Sequence, residues 1–146
     1  MNDEIRNKLE INKNINRGYR DLIIWRESID LYAFVKNKLR TIESVPYKVK
    51  AQVEDSALSF SSNIAEGYCR RSLKENIQFL SVSLSSLGEN YSQILALTNA
   101  GDLDISWFNE YDQKHYSLEN KTLKMNQTYI PKLNNKDEWK NNYILR

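Results

Sequence analysis

The sequence predicts an all-α protein, an up-down-up-down four-helix bundle, on three observations. Apolar residues recur at alternating three- and four-residue steps through four long segments, the period of one helix face. Only two prolines and four glycines stand among 146 residues, too few to punctuate the many turns of a β-sandwich. Pro46, Gly67, Gly101 and Pro131 fall at the boundaries of the periodic segments, so the connections are short and neighbouring helices run antiparallel. A chain of this length buries a core as one domain without crosslinks.

Residues 1–18 are rich in Asn, Lys and Glu, and Ile5, Leu9, Ile11 and Ile15 are too sparse to demand burial. They read as an N-terminal arm, mobile or transiently helical, outside a bundle spanning 19–132. The first bundle helix is expected from about Asp21, whose charge suits a helix start, to Ile42. Leu22, Trp25, Ile29, Tyr32, Lys36 and Leu39 form one row along it, and Ile24, Leu31, Val35 and Ile42 a second. Two rows serve either a broad intramolecular core or a bundle that also self-associates. Ser44-Val45-Pro46 breaks the chain, with Pro46 placed for the first position of the second helix. That helix is expected to run to Glu66 through Val49, Val53, Ala57, Phe60 and Ile64.

Gly67 is expected to end the second helix in the left-handed region. Ser72-Leu73-Lys74-Glu75 then reads as a capping box opening the third helix, so residues 67–72 form a tight basic elbow. In the third helix, from about Leu73 to Asn99, Ile77, Leu80, Leu84, Leu87, Tyr91 and Ile94 repeat every seven residues, as in left-handed helix packing. Ser81, Ser83, Ser85 and Ser86 lie among them, permitting close helix approach or facing water. Gly101 ends this helix and Asp104 or Ser106 caps the fourth. The fourth carries Phe108, Tyr111, His115, Leu118, Thr122, Met125 and Tyr129, to about Pro131. Residues 133–146 are polar apart from Trp139, Tyr143, Ile144 and Leu145 and read as a flexible tail, with those four available to dock on the bundle or a partner.

The elbow also carries a family resemblance. Ser62-Asn63-Ile64-Ala65-Glu66-Gly67, followed by Tyr68 and the pair Arg70-Arg71, resembles the four-helix-bundle proteins encoded in intervening sequences of bacterial 23S ribosomal RNA genes. Lys74-Glu75 with Phe79-Leu80, Ser86-Leu87 with Glu89, and Asp21-Leu22 with Trp25 follow the same pattern from about Tyr19 to Leu103. The resemblance implies a small helical bundle, often pentameric, without an established catalytic activity. Two positions depart from the pattern: Glu54 and Asp55 stand where basic residues are common, and Ser61 where proline is common. The first departure removes positive charge from a face that could have met RNA. Related bundles act as accessory subunits to reverse transcriptases of retroelements, but the Ser62–Gly67 motif marks the ribosomal-gene branch.

Composition excludes several classes. The formal net charge of +2 implies no polyanion partner by bulk charge, although residues 1–74 hold fourteen Lys and Arg against ten Asp and Glu while 75–146 hold seven against nine. That asymmetry is compatible with nucleic acid and equally with a solvated surface. One cysteine, Cys69, permits neither an intramolecular disulfide nor a cysteine metal site. With no leader-like apolar core at the start and no stretch as long as a membrane span, a cytoplasmic protein is expected. His115, the single histidine, has no histidine or cysteine companion and no Glu-x-x-His context, so it reads as a core or interface residue. No nucleophile elbow and no glycine-rich phosphate loop is present. Cys69 beside two arginines has the setting of an activated thiolate, or is simply a small loop residue. The expectation is no enzyme, no metal and no cofactor.

What remains is recognition. Glu66 can pair with Arg70 one turn on, and Asn63 can bond freed backbone near the elbow or a neighbouring helix. The same residues could instead join a recognition surface with Arg71. Arg70, Arg71 and Lys74 form the compact basic cluster of the chain, with Tyr68 adjacent, and cations beside an aromatic ring are what grips single-stranded RNA. One subunit offers weak, salt-sensitive binding; a homo-oligomer, a pentamer by the resemblance, repeats the cluster into a belt. The expectation is a non-catalytic, RNA-associated or nucleoprotein adaptor, with a protein-interaction scaffold as the competing reading.

Overall fold

The computed structural model describes residues 1–135; the tail expected over 133–146 lies outside the described residues from 136 onward. Five α-helices and no strand are present among the described residues: α1 Asp3–Ile11, α2 Ile23–Arg40, α3 Tyr47–Tyr68, α4 Leu73–Asn99 and α5 Ile105–Tyr129. Short 3-10 segments, Ile15–Asp21 and Ile130–Asn135, precede α2 and follow α5. Helices α2 to α5 form the expected bundle. Helix α3 packs against α2 and α4, α5 packs against α4 and α2, and the diagonal pairs have no close backbone approach. The elbow between α3 and α4 therefore shares one end of the bundle with the start of α2 and the end of α5.

Within the N-terminal residues, α1 is capped by Asn2, whose Oδ1 accepts from the Glu4 amide at 2.8 Å, and it buries no residue. Arg26 of α2 reaches it through Glu10 at 2.8 Å. Asp21 closes the 3-10 segment instead of opening α2, so the helix starts two residues later than expected. Pro46 is likewise the N-cap of α3, extended at φ −59° and ψ 146°, and not its first helical residue.

Other helix ends are the expected ones. Ser72 Oγ accepts from the Glu75 amide at 3.2 Å while Glu75 Oε2 accepts from the Ser72 amide at 3.1 Å, completing the capping box. Gly101, at φ +86°, closes α4 in a Schellman turn: its amide donates to Thr98 O and the Asp102 amide to Leu97 O, both at 3.0 Å. Asp104, not Ser106, caps α5, accepting from the Trp107 amide at 2.8 Å.

Gly67 departs from the expectation. It is not left-handed and it does not end the helix, because α3 continues through Tyr68 and the positive-φ glycines are Gly18 and Gly101. It is buried where α4 crosses, and a β-carbon there would lie 2.5 Å from Phe79 Cβ and 3.0 Å from Asn76 Oδ1. The freed carbonyls of the helix end accept instead from the Cys69 amide, at 3.2 Å to both Ala65 O and Glu66 O, and from the Arg70 amide, at 3.1 Å to Gly67 O. Glycine is required here by close approach, not by backbone conformation.

The seams also differ from a purely apolar reading. On α4, Leu73, Leu80, Leu87 and Ile94 are buried, but the companion row is Asn76, Ser83 and Asn90, while Ile77, Leu84 and Tyr91 are half-buried on its flank. On α2 the buried row is Ile24, Ser28, Leu31, Val35 and Leu39, with Trp25, Ile29 and Tyr32 beside it. The polar core residues are mostly satisfied. Asn90 Nδ2 donates to Val53 O at 2.9 Å and Ser56 Oγ at 3.0 Å, and Asn90 Oδ1 accepts from the Tyr111 hydroxyl at 2.8 Å. One amide thus ties α3, α4 and α5 into a single register. Small residues at the α3–α4 crossing, Ser56, Ala57, Gly67, Ser83 and Ser86, let these two helices make the closest packing of the bundle.

Candidate nucleic-acid interface

The elbow gathers the residues singled out from sequence but does not leave them equivalent. Arg71 and Lys74 are exposed. Arg70 is half-buried; its Nη2 pairs with Glu66 Oε1 one turn back, and its guanidinium lies 4.7 Å from the centre of the Phe79 ring. Its Nε is buried without a hydrogen-bond partner. Arg70 is therefore clamped to the bundle between a carboxylate and a ring, with part of its surface still open. Glu66 does the holding expected of it.

Tyr68 is half-buried and hydrogen-bonds with Tyr129 at the end of α5. Burial pushes the Tyr129 phenol up, and the neighbouring Tyr68 adds to the effect. Lys132 sits 5.8 Å from the centre of the Tyr129 ring. The bundle end thus holds a tyrosine pair with Lys132 over one ring, and the elbow that follows Tyr68 exposes Arg71 and Lys74. Lys132 escaped the sequence reading because only the bundle's closure brings its neighbour Tyr129 against Tyr68. The α4 start is less available to an anion than a bare helix end would be, since the Glu75 carboxylate already occupies two donors at Ser72.

The remaining motif residues are structural. Asn63 Nδ2 donates to Ser59 O at 2.8 Å and Ser59 Oγ at 3.0 Å, one turn earlier in its own helix, and not to elbow backbone or to a neighbouring helix. Ser62 is exposed and bonds Leu58 O at 3.0 Å, Ile64 is in the core, and Ala65 is half-buried. His115 is 5% exposed, with Nε2 3.1 Å from the Leu87 carbonyl and its ring 4.8 Å from that of Tyr91. Cys69 is exposed. Among the described residues, no group of three or more His, Cys, Asp or Glu is placed to hold a metal ion, and no helix is long and apolar enough to cross a membrane.

A small up-down helical bundle with a tightly packed elbow, and with cations and tyrosines at one end, is the class that fold and surface define. The sequence model of the 23S rRNA-intervening sequence proteins matches residues 20–124, which covers α2 to α4 and most of α5. The chain belongs to that family. A search of curated proteins finds no match.

Proposed function

We propose that the protein is a non-catalytic, homo-oligomeric bundle that associates with RNA or a nucleoprotein through the elbow end. The observation that carries this reading is the Tyr68–Tyr129 pair with Lys132 over the Tyr129 ring, at the end of the bundle where the elbow exposes Arg71 and Lys74, in a chain of the 23S rRNA-intervening sequence family. Phosphates meet the three exposed cations, and the half-buried tyrosines offer a surface to an unpaired base. Three phosphate contacts per subunit give a salt slope of only about −2 on single-stranded RNA. Repetition around a closed oligomer raises the avidity without any new contact.

Arg70 has a different role in this reading, positioning the elbow while Arg71 and Lys74 make contact. Glu54, at a place where related sequences commonly carry positive charge, is engaged by Lys36 at 3.2 Å, so it repels RNA less than its charge alone implies. The scaffold reading draws on exposed Leu58, Val82 and Leu95, apolar side chains on the outer faces of α3 and α4.

Filter-binding titrations against single-stranded and structured RNA at several salt concentrations test the proposal. Wild type is expected to bind, and Arg71→Ala/Lys74→Ala/Lys132→Ala to bind more weakly with a slope flattened by most of its value. Absence of wild-type binding at low salt supports the scaffold instead; equal slopes for the two proteins would place the contact elsewhere.

A further inference from the structure

Between α4 and α5, well away from the elbow, lies an open cleft of about 310 Å³. Gly88 and Tyr91 of α4 and Asp112, His115, Tyr116 and Glu119 of α5 line it. Gly88 creates the opening: a β-carbon there would meet nothing within 4 Å, and a larger side chain would fill the space. Gly88 stands fifteen residues into α4, about 22 Å from the elbow at 1.5 Å per residue.

The chemistry of the wall is one-sided. The His115 Nε2 partner, the Leu87 carbonyl, can only accept, so Nε2 carries the hydrogen and Nδ1 of the neutral ring keeps its lone pair. No described group bonds Nδ1, although His115 is 95% buried. Asp112 lies near the Tyr91 hydroxyl and pushes that phenol up, and its carboxylate has lone pairs to spare for a donor in the cleft. Neither Asp112 nor Glu119 is in an ion pair among the described residues. The Tyr91 and Tyr116 rings add electron-rich faces, and no lysine or arginine lines the cleft. A histidine, two carboxylates and two phenol rings line one small space.

Such a wall rejects an anion and offers a neutral apolar guest nothing to balance the carboxylates. It fits a compact cation with several N–H donors, held by charge-assisted hydrogen bonds and by the ring faces. We propose that this cleft is a binding site for an organic cation, a primary ammonium or guanidinium group. The group reaches it either as a free diamine or as a basic side chain presented by another protein. Both sources share the recognition chemistry: N–H donors to Asp112, Glu119 and His115 Nδ1, with the alkyl stem against Tyr91 and Tyr116 over Gly88.

Isothermal titration of the full chain with 1,5-diaminopentane and with N-acetyl-arginine methylamide, in low-salt buffer, tests this. Binding of at least one probe below about 1 mM is expected, with perturbed His115 and Tyr116 resonances in NMR spectra. Gly88→Leu, whose β-carbon enters open space and whose helical circular dichroism is expected to match wild type, is expected to weaken binding tenfold or more. Asp112→Asn/Glu119→Gln is expected to lose a similar factor through its charge-assisted bonds and most of the salt dependence. Binding of the diamine alone assigns a free amine, and binding of the blocked arginine alone assigns a presented side chain. Binding of neither probe to wild type, or equal binding by wild type and Gly88→Leu, would overturn the proposal.

Discussion

Replacing Gly67 with alanine tests the packing account of the elbow. The added β-carbon would stand 2.5 Å from Phe79 Cβ, against about 3.5–4.0 Å for an ordinary carbon–carbon contact. Both atoms are fixed to their backbones, so no rotamer relieves the overlap and α3 must move from α4 by about 1 Å. Asn76 Oδ1, at 3.0 Å, and Asn76 O, at 3.3 Å, resist the same displacement. Overpacking of this kind costs about 1–3 kcal/mol, offset by up to about 1 kcal/mol from the better helix propensity of alanine. A net loss of about 1 kcal/mol corresponds to a fall of about 3 °C in Tm for a chain of this size. Gly88→Ala is the control: it gains the propensity term with no overlap and should raise Tm by a few degrees. Asparagine separates the two roles glycine can play, because it tolerates the left-handed region but exceeds alanine in bulk. Gly67→Asn should therefore melt below Gly67→Ala. Thermal unfolding followed by circular dichroism measures all three, and a Gly67→Ala variant as stable as wild type would refute the close-approach argument.

The remaining predictions concern the core and the helix caps. Tyr111→Phe strands the buried Asn90 Oδ1 and should cost about 1–3 kcal/mol in denaturant unfolding; no change would mean the amide has another donor. Ser72→Ala removes the cap of α4 and should cost about 1 kcal/mol, checked in the same assay. Lys38, at 2.5 Å, and then the Trp107 amide hold the Asp104 carboxyl below its ordinary value of 3.8. Its folded pKa is depressed, so the stability it contributes is complete above the unfolded value and is lost as pH falls through the folded one. Asp104→Asn should therefore flatten the acid limb of a stability–pH curve below about pH 4, and an unchanged limb would refute the pairing.

Much of this fold was legible because helix period and cap chemistry are local. Ser72 with Glu75, Gly101 and Asp104 each announced a helix end through its own side chain or lack of one. Gly67 was misread because glycine serves two purposes, and only the partner helix, through Phe79 and Asn76, decides which. The polar row Asn76, Ser83 and Asn90 was invisible to a search for apolar periodicity: Asn90 becomes favourable in the core only once Tyr111, Val53 and Ser56 supply partners, and the side chains of Asn76 and Ser83 are buried without one. The basic cluster was legible as a run of charges, but its division was not. Whether an arginine is clamped, as Arg70 is by Glu66 and Phe79, or free, as Arg71 is, depends on what lies one turn away in space. Lys132 and the Gly88 cleft depend on which helices become neighbours, and no local pattern carries that.

Sedimentation velocity of a labelled single-stranded RNA, alone and with the protein at low salt, tests the central claim most directly. The account predicts a faster boundary containing RNA and several 17.2 kDa chains, which slows toward free RNA as salt is raised. A boundary unchanged by the protein, or a complex holding a single chain, would contradict it.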